Sequence, residues 1–165
     1  MSRRNHTFNI QNLDRWIAWL NSLSEENLEQ FQSRFLRTAG LRILEYADDN
    51  TPVRSGRLKD SLSAGAQDNV FKLQVGRTSY VAVGTAVDYA EYVEKGFTQK
   101  QGQFVPGTWR SGTFHYDPAA YPSGMVLTGK VIPGAHMFQK AVDYVENDLD
   151  QIAEFEFRRL YAELL

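Results

Sequence analysis

The chain contains no cysteine, which excludes disulfides and thiolate metal sites outright. Histidine is scarce, with His6, His115 and His136 the whole supply in 165 residues. A histidine alone in a loop is more often a surface or packing residue than a ligand or a base. No run of about 18 apolar residues occurs, so no membrane-spanning helix is expected. The first residues, Met1 to His6, are basic but lead into no apolar stretch, so no signal peptide is expected and synthesis in a cytoplasm is the natural inference. Charge of one sign is also lacking: 18 basic and 20 acidic side chains leave a net charge of −2, which argues against a surface built mainly to neutralise nucleic-acid phosphates. The motifs that would announce chemistry are missing too. There is no G-x-x-x-x-G-K-[ST] phosphate loop, no G-x-G-x-x-G fingerprint, no H-E-x-x-H and no G-x-S-x-G. The expectation is a chain with no catalytic residues, no metal, no cofactor and no small-molecule substrate.

What the chain does have is aromatic residues, with ten Phe, eight Tyr and three Trp, in a composition that is 42% hydrophobic and 23% charged. That balance suits one soluble domain, spanning 1–165, with a real core. Its organising stretch is 51–62. Pro52 cannot continue a helix and biases Thr51 away from helical backbone. Ser55 and Gly56 make a turn, and Leu58 and Leu62, four apart, cover one side of a new helical turn. The stretch is thus a helix stop, a turn and a restart.

Before it the sequence reads as helix. Leu13, Trp16, Ile17 and Leu20 keep helical spacing over 12–22. This is either a short helix packed on the core or an arm that docks Trp16 and Trp19 on a neighbouring subunit. A second, longer helix of about six turns starts at Ser24. Ser24 caps it, Glu25 and Glu26 suit its positive end, and Leu23 with Leu28 offers a hydrophobic staple. Leu28, Phe31, Phe35, Leu36, Ala39, Ile43 and Ala47 form its apolar face.

After 51–62 the period changes to two. Phe71, Leu73 and Val75 alternate with Lys72 and Gln74 as a half-buried strand, with 62–66 expected as its hairpin partner and Tyr80 to Gly84 as a third strand. A short helix follows, with Asp88 and Glu91 at the spacing of a capping box and Gly96 at the C-terminal cap. Glu91 and Glu94 lack a histidine at ligand spacing, so a solvated or capping role is expected of them. Residues 97–132 are rich in glycine and proline yet carry Phe97, Phe104, Trp109, Phe114, Tyr116 and Tyr121. A long stretch without clear periodicity is usually functional or disordered, and these aromatics argue for order on contact with something. We expect an extended loop or β-arm, with Val126–Leu127 and Val131–Ile132 as strand fragments extending the sheet. From Gly134 a helical period holds through Phe138, Ala141, Val145, Leu149, Ile152, Phe157 and Leu160, and a helix that long is expected to overhang a small domain. The fold class is α+β: long N-terminal and C-terminal helices on a small, mostly antiparallel sheet, with the 97–132 insertion.

The order of segments resembles the HK97 gp10-like family of tailed-phage neck and tail-completion proteins. A long helix leads into 51–62, where Pro52, Ser55, Gly56, Leu58 and Ser61 match the family's Pro-x-Asp-Thr-Gly-x-Leu-x-x-Ser turn. Tyr89, Tyr92, Glu94 and Gly96 match its Tyr-Ala-x-Tyr-x-Glu-x-Gly segment, and Pro133 to Ala141 its opening of the last helix. Arg54 stands where the family has Asp, and Ser55, where it has Thr, keeps a hydroxyl for capping. The resemblance implies a structural virion protein, made in the host cytoplasm, that completes the upper end of the tail or joins it to the neck. Its implied partners are copies of itself in a ring, with a hexamer expected from tail symmetry, the tail-tube or tail-terminator protein, and neck or connector proteins. Two other readings stand beside it. One is a small enzyme or nucleic-acid-binding factor using Arg54, Arg57 and Lys59 with His115 and Asp117. The other is a tail-assembly factor absent from the finished particle.

Overall fold

The computed structural model describes residues 23–53 and 56–164. The expected helix over 12–22, with Trp16 and Trp19, lies outside the described residues, as do Arg54 and Ser55.

Helix α1 runs Glu25–Asp49. Ser24 caps it as its sequence position dictates: its hydroxyl accepts from the Asn27 N–H at 3.2 Å, and the Asn27 side chain accepts from the Ser24 N–H at 2.9 Å. At the other end Asn50 donates its side-chain amide to the Tyr46 carbonyl at 2.8 Å, and the Thr51 hydroxyl donates to the Ala47 carbonyl at 2.6 Å. Two of the last carbonyls are thus satisfied before Pro52 turns the chain.

The last helix, α4, runs Met137–Glu163 and lies antiparallel along α1. Arg34 meets Glu163 at 2.7 Å, Thr38 meets Glu156 at 2.9 Å, Arg42 meets Asp148 at 3.0 Å, and Thr51 meets the Met137 sulfur at 3.0 Å. Between these polar contacts Ala39, Val145 and Ile152 form one part of the core, and Leu44, Ala47, Leu62 and Ala141 another. The overhang expected of α4 is not what is seen, because 27 residues run beside the 25 of α1. It is α1 that continues past the Arg34–Glu163 contact, back to Glu25, and Leu28, expected on the buried face, is exposed there.

The hairpin partner of the first strand is a correction. Strand β1, Asn69–Gln74, pairs antiparallel with β2, Tyr80–Thr85, matching Asn69 with Thr85 and Gln74 with Tyr80. Residues 62–66 are turns. Leu62 is drawn into the core against Leu44 and Ala47. The backbone N–H groups of Ser63, Ala66 and Asn69 bond successively to Asp60, Ser63 and Ala66, leaving no ladder to form. The hairpin packs on α1 at Gly40, where an added methyl would collide with Val81 and Phe71.

Helix α2, Arg57–Asp60, is the single turn expected after 51–56. Helix α3, Ala90–Lys95, starts one residue later than expected. The Asp88–Glu91 capping box does not form: Tyr89 is the N-cap and makes no side-chain cap, and Glu91 pairs with Lys95 at 2.8 Å.

Residues 97–132 form a β-arm. Its base is the pair β3, Gly96–Thr98, with β7, Val131–Pro133. Its outer part is β4, Phe104–Arg110, between β5, Thr113–Tyr116, and β6, Gly124–Val126. Backbone bonds Gln99 to Lys130, Gly102 to Leu127 and Leu127 to Gln103 join base to tip as one ribbon. The strand fragments at 126 and 131 are therefore real, but they pair within the arm and do not extend the β1–β2 sheet.

A groove lined by two sequence motifs, and an aromatic arm

The two motif segments meet across one groove. It encloses about 890 Å³ and is lined by Pro52, Val53, Gly56, Leu58, Lys59, Tyr89, Tyr92, Val93, Phe97 and residues 132–135. Pro52, Gly56 and Leu58 come from the turn, Tyr89 and Tyr92 from α3, and Phe97 with Ile132 and Pro133 from the root of the arm.

Several of the described motif residues have a structural reason to be there. Gly56, at φ 81°, is the N-cap of α2 in left-handed backbone that favours glycine. Leu58 packs on Val87 and Met137. The buried Ser61 hydroxyl donates to the Leu58 carbonyl at 2.6 Å and shares a 2.7 Å hydrogen bond with the Thr85 hydroxyl, tying α2 to the end of β2. Glu94 caps a helix other than its own. Its two carboxylate oxygens accept the Phe138 and Gln139 backbone N–H groups, each at 3.0 Å. The N-cap of α4, His136, is left-handed and offers no side-chain cap, so the carboxylate of α3 satisfies the orphan donors. The capping role expected of Glu94 is thus observed, at a helix 44 residues away. Gly96, at φ 75°, and Gly134 interlock beneath it: a methyl on Gly96 would strike the Ile132 carbonyl, and one on Gly134 the Glu94 carbonyl.

Six aromatics of the arm and its root meet in pairs. Tyr92 and Phe97, Phe104 and Tyr121, and Trp109 and Phe114 meet edge to face with centroids 5.9, 5.9 and 5.4 Å apart. Phe114 lies over Gly107 and Phe104 over Gly124, each ring filling the place of the missing side chain. Toward solvent, Trp109, Tyr116 and Tyr121 are 61%, 67% and 76% exposed, while Phe114 is half-buried.

Three of the described groups proposed for the enzyme or nucleic-acid reading are engaged with near neighbours. Arg57 pairs with Asp68 and Lys59 with Asp48, each at 3.3 Å. His115 stands on β5 opposite Thr108, and Asp117 accepts the Ala119 N–H at 2.9 Å. Of the described members of that set only Lys59 lines the groove. Among the described residues no three acidic or histidine side chains gather as a metal site, and no helix is long and apolar enough to cross a membrane.

Sequence reasoning missed Val53, Val93, Ile132 and Pro133 as groove walls, and Thr85 as the partner of Ser61. Val53 had a readable signal, an apolar residue in a turn between Pro and Arg. The others depend on tertiary placement.

The fold is thus a small α+β body, two long antiparallel helices on a hairpin, with a projecting aromatic ribbon. The profile of the family described as "Bacteriophage HK97-gp10, putative tail-component" matches residues 14–96, ending where the arm begins. Among curated proteins of Bacillus subtilis (strain 168), "Uncharacterized protein YqbI" is 33% identical over 143 residues, covering 81% of this chain and 85% of its own. "Phage-like element PBSX protein XkdI" is 32% identical over 148 residues, covering 88% and 83%. No solved structure matches. The chain belongs to the HK97 gp10-like family of phage tail components.

Proposed function

We propose that this protein is a structural component at the upper end of a phage tail, where it forms an oligomeric ring, a hexamer in keeping with tail symmetry, that completes the tail or joins it to the neck. Its neighbours in this reading are the tail-tube or tail-terminator protein and neck proteins, and it stays in the virion. Family membership supports the coarse role. The observation that carries the finer one is the arm. Its outer strands pair with one another, and the three core clusters draw no residue from 97–132, yet it displays large aromatics to solvent. Such exposed apolar groups mark contact surfaces. Phe97, Phe104, Trp109, Phe114, Tyr116 and Tyr121 are the contact residues on this reading, with Trp16 and Trp19 as further candidates.

Native mass spectrometry of the purified protein, followed by negative-stain imaging, tests the ring. A sixfold mass and annular particles are expected. A strict monomer that also fails to co-sediment with purified tails overturns the reading.

A further inference from the structure

The helix pair has a side that faces away from the hairpin, and its floor is buried. The hairpin meets α1 at Gly40, against Val81 and Phe71, and at Gln32, which accepts the Ser79 hydroxyl at 2.9 Å. Thr38 stands about 200° round α1 from Gly40, and Arg34 the same angle from Gln32. On this far side the Thr38 hydroxyl meets Glu156 of α4, and Phe31 meets Phe157 edge to face with centroids 6.2 Å apart. Leu160 follows Glu156 by one turn on the same face. Glu156 and Leu160 are only 3% and 2% exposed, and Glu156 Oε2 is shut off from solvent with no partner among the described residues. Yet among the described residues the three core clusters include neither side chain. Beyond Val145 the described core around α4 is drawn from α1 and α4 alone.

One stretch of the sequence fits this side in pattern, length and position. Residues 12–22 lead directly into α1, and Leu13, Trp16, Ile17 and Leu20 share one helical face. At about 1.5 Å per residue a helix over 12–22 is about 15 Å long, equal to α1 from Leu28 to Thr38. Folding it back on α1 takes a turn at 22–24, within the roughly two to five residues usual for an αα-hairpin. Its apolar face then runs from Leu164 to Ala153 along α4. Leu28 and Leu164, both exposed, stand at the end where that turn falls. So short a tether gives the segment a high effective concentration at its own helix pair.

We propose that 12–22 lies as a helix on this side of its own copy, antiparallel to α1, with Leu13, Trp16, Ile17 and Leu20 turned onto Phe157, Leu160 and the stem of Glu156. The body is then three helices on a hairpin. Trp16 belongs to that body and leaves the contact residues. Trp19, on the flank of the apolar face, stays open to a neighbour. The contact is internal to one copy, so it stands or falls apart from the ring and from the aromatics of the arm.

The absence of native cysteine makes the test clean. The full chain carrying Leu13→Cys and Ala153→Cys, treated at high dilution with a short bismaleimide, is expected to shift to the intact mass of one chain plus one bridging reagent. Gln151→Cys in place of Ala153→Cys is the control, exposed and about 200° round α4 at nearly the same height. A yield of internal bridges no greater than in that control overturns the proposal. Bridges formed only between chains also overturn it, in favour of a segment exchanged onto a neighbouring copy. Because Leu13→Cys removes part of the apolar face, a second measurement leaves that face intact. With Trp19→Phe and Trp109→Phe, Trp16 is the sole tryptophan, and its emission is expected to be blue-shifted in the folded chain and to move red on unfolding in urea. Emission already at its unfolded position in the folded chain overturns the proposal whatever the crosslinks give.

Discussion

Glu94 shows how one side chain can connect distant parts of a small fold. Its carboxylate accepts two backbone N–H groups at the start of α4, and those donors have no other cap because His136 provides none. Glu94→Gln keeps the shape but replaces one acceptor oxygen with an NH2 that faces a donor. It is expected to cost about 1–2 kcal/mol, close to the cost of Glu94→Ala, read as a lower urea midpoint with an unchanged slope. An unchanged midpoint would mean that water caps α4 equally well. The residue-scale roles were unevenly legible. Ser24 acts within a few residues, so its position in the sequence revealed it. Glu94 acts on Phe138 and Ser61 on Thr85, and no local rule reaches that far. Asp88 and Glu91 had the spacing of a capping box but not the backbone, because α3 begins at Ala90.

At the scale of elements, the α1–α4 pair sets the body. Its helical periodicity was plain in the sequence; the pairing of the strands was not. Residues 62–66 look like a strand's partner only until Leu62 is seen to be needed in the core and the following N–H groups are seen to close turns. The arm's strands were hidden because their side chains are aromatic, glycine and proline without alternation, and their pairing partners lie across the ribbon. Within the helix pair, Glu156 is nearly fully buried, with the Thr38 hydroxyl on one oxygen and no partner for Oε2 among the described residues. Thr38→Val alone strips the remaining hydrogen bond from a buried carboxylate and is expected to cost about 1–3 kcal/mol. Thr38→Val with Glu156→Leu removes both polar groups and is expected to be neutral or stabilising. Chemical denaturation of the four members of this cycle measures the coupling, and additive losses would refute it. Farther along the same pair, the hydrogen bond from Arg34 is the main cause that holds the Glu163 carboxyl below its ordinary 4.5, with the Arg34 and Arg159 charges helping against partial desolvation. A depressed carboxylate stabilises the fold fully above 4.5 and loses that contribution as pH falls through its folded value. In Arg34→Ala the Glu163 titration, followed by carboxyl-carbon NMR, is expected to move up toward 4.5. The stability difference from the parent chain is expected above that pH and should fade in acid.

At the scale of the whole molecule, the body and the arm are separable in a way that can be measured. The three core clusters draw on α1, α2, the hairpin, α3 and α4, and on nothing between 97 and 132. The arm supports itself through its ladder and through rings laid over Gly107 and Gly124. What the body does require is the root, where Gly96 and Gly134 interlock and Ala135 and His136 donate to the Val93 and Glu94 carbonyls at 2.7 and 3.1 Å. Replacing 100–129 with a two-residue Asn-Gly turn keeps β3, β7 and that root while removing Phe104, Trp109, Phe114, Tyr116 and Tyr121. The shortened chain is expected to keep the helical circular dichroism of the parent, with a thermal midpoint shifted only as far as lost intersubunit contacts dictate. It is expected to remain monomeric at concentrations where the full chain assembles, as measured by light scattering after size exclusion. A shortened chain that loses its helical signal would mean that the arm is part of the folding unit. One that folds and still assembles would place the contact on the helices. Folding without assembly is the outcome that the proposed arm-mediated ring predicts for a body whose core is self-contained.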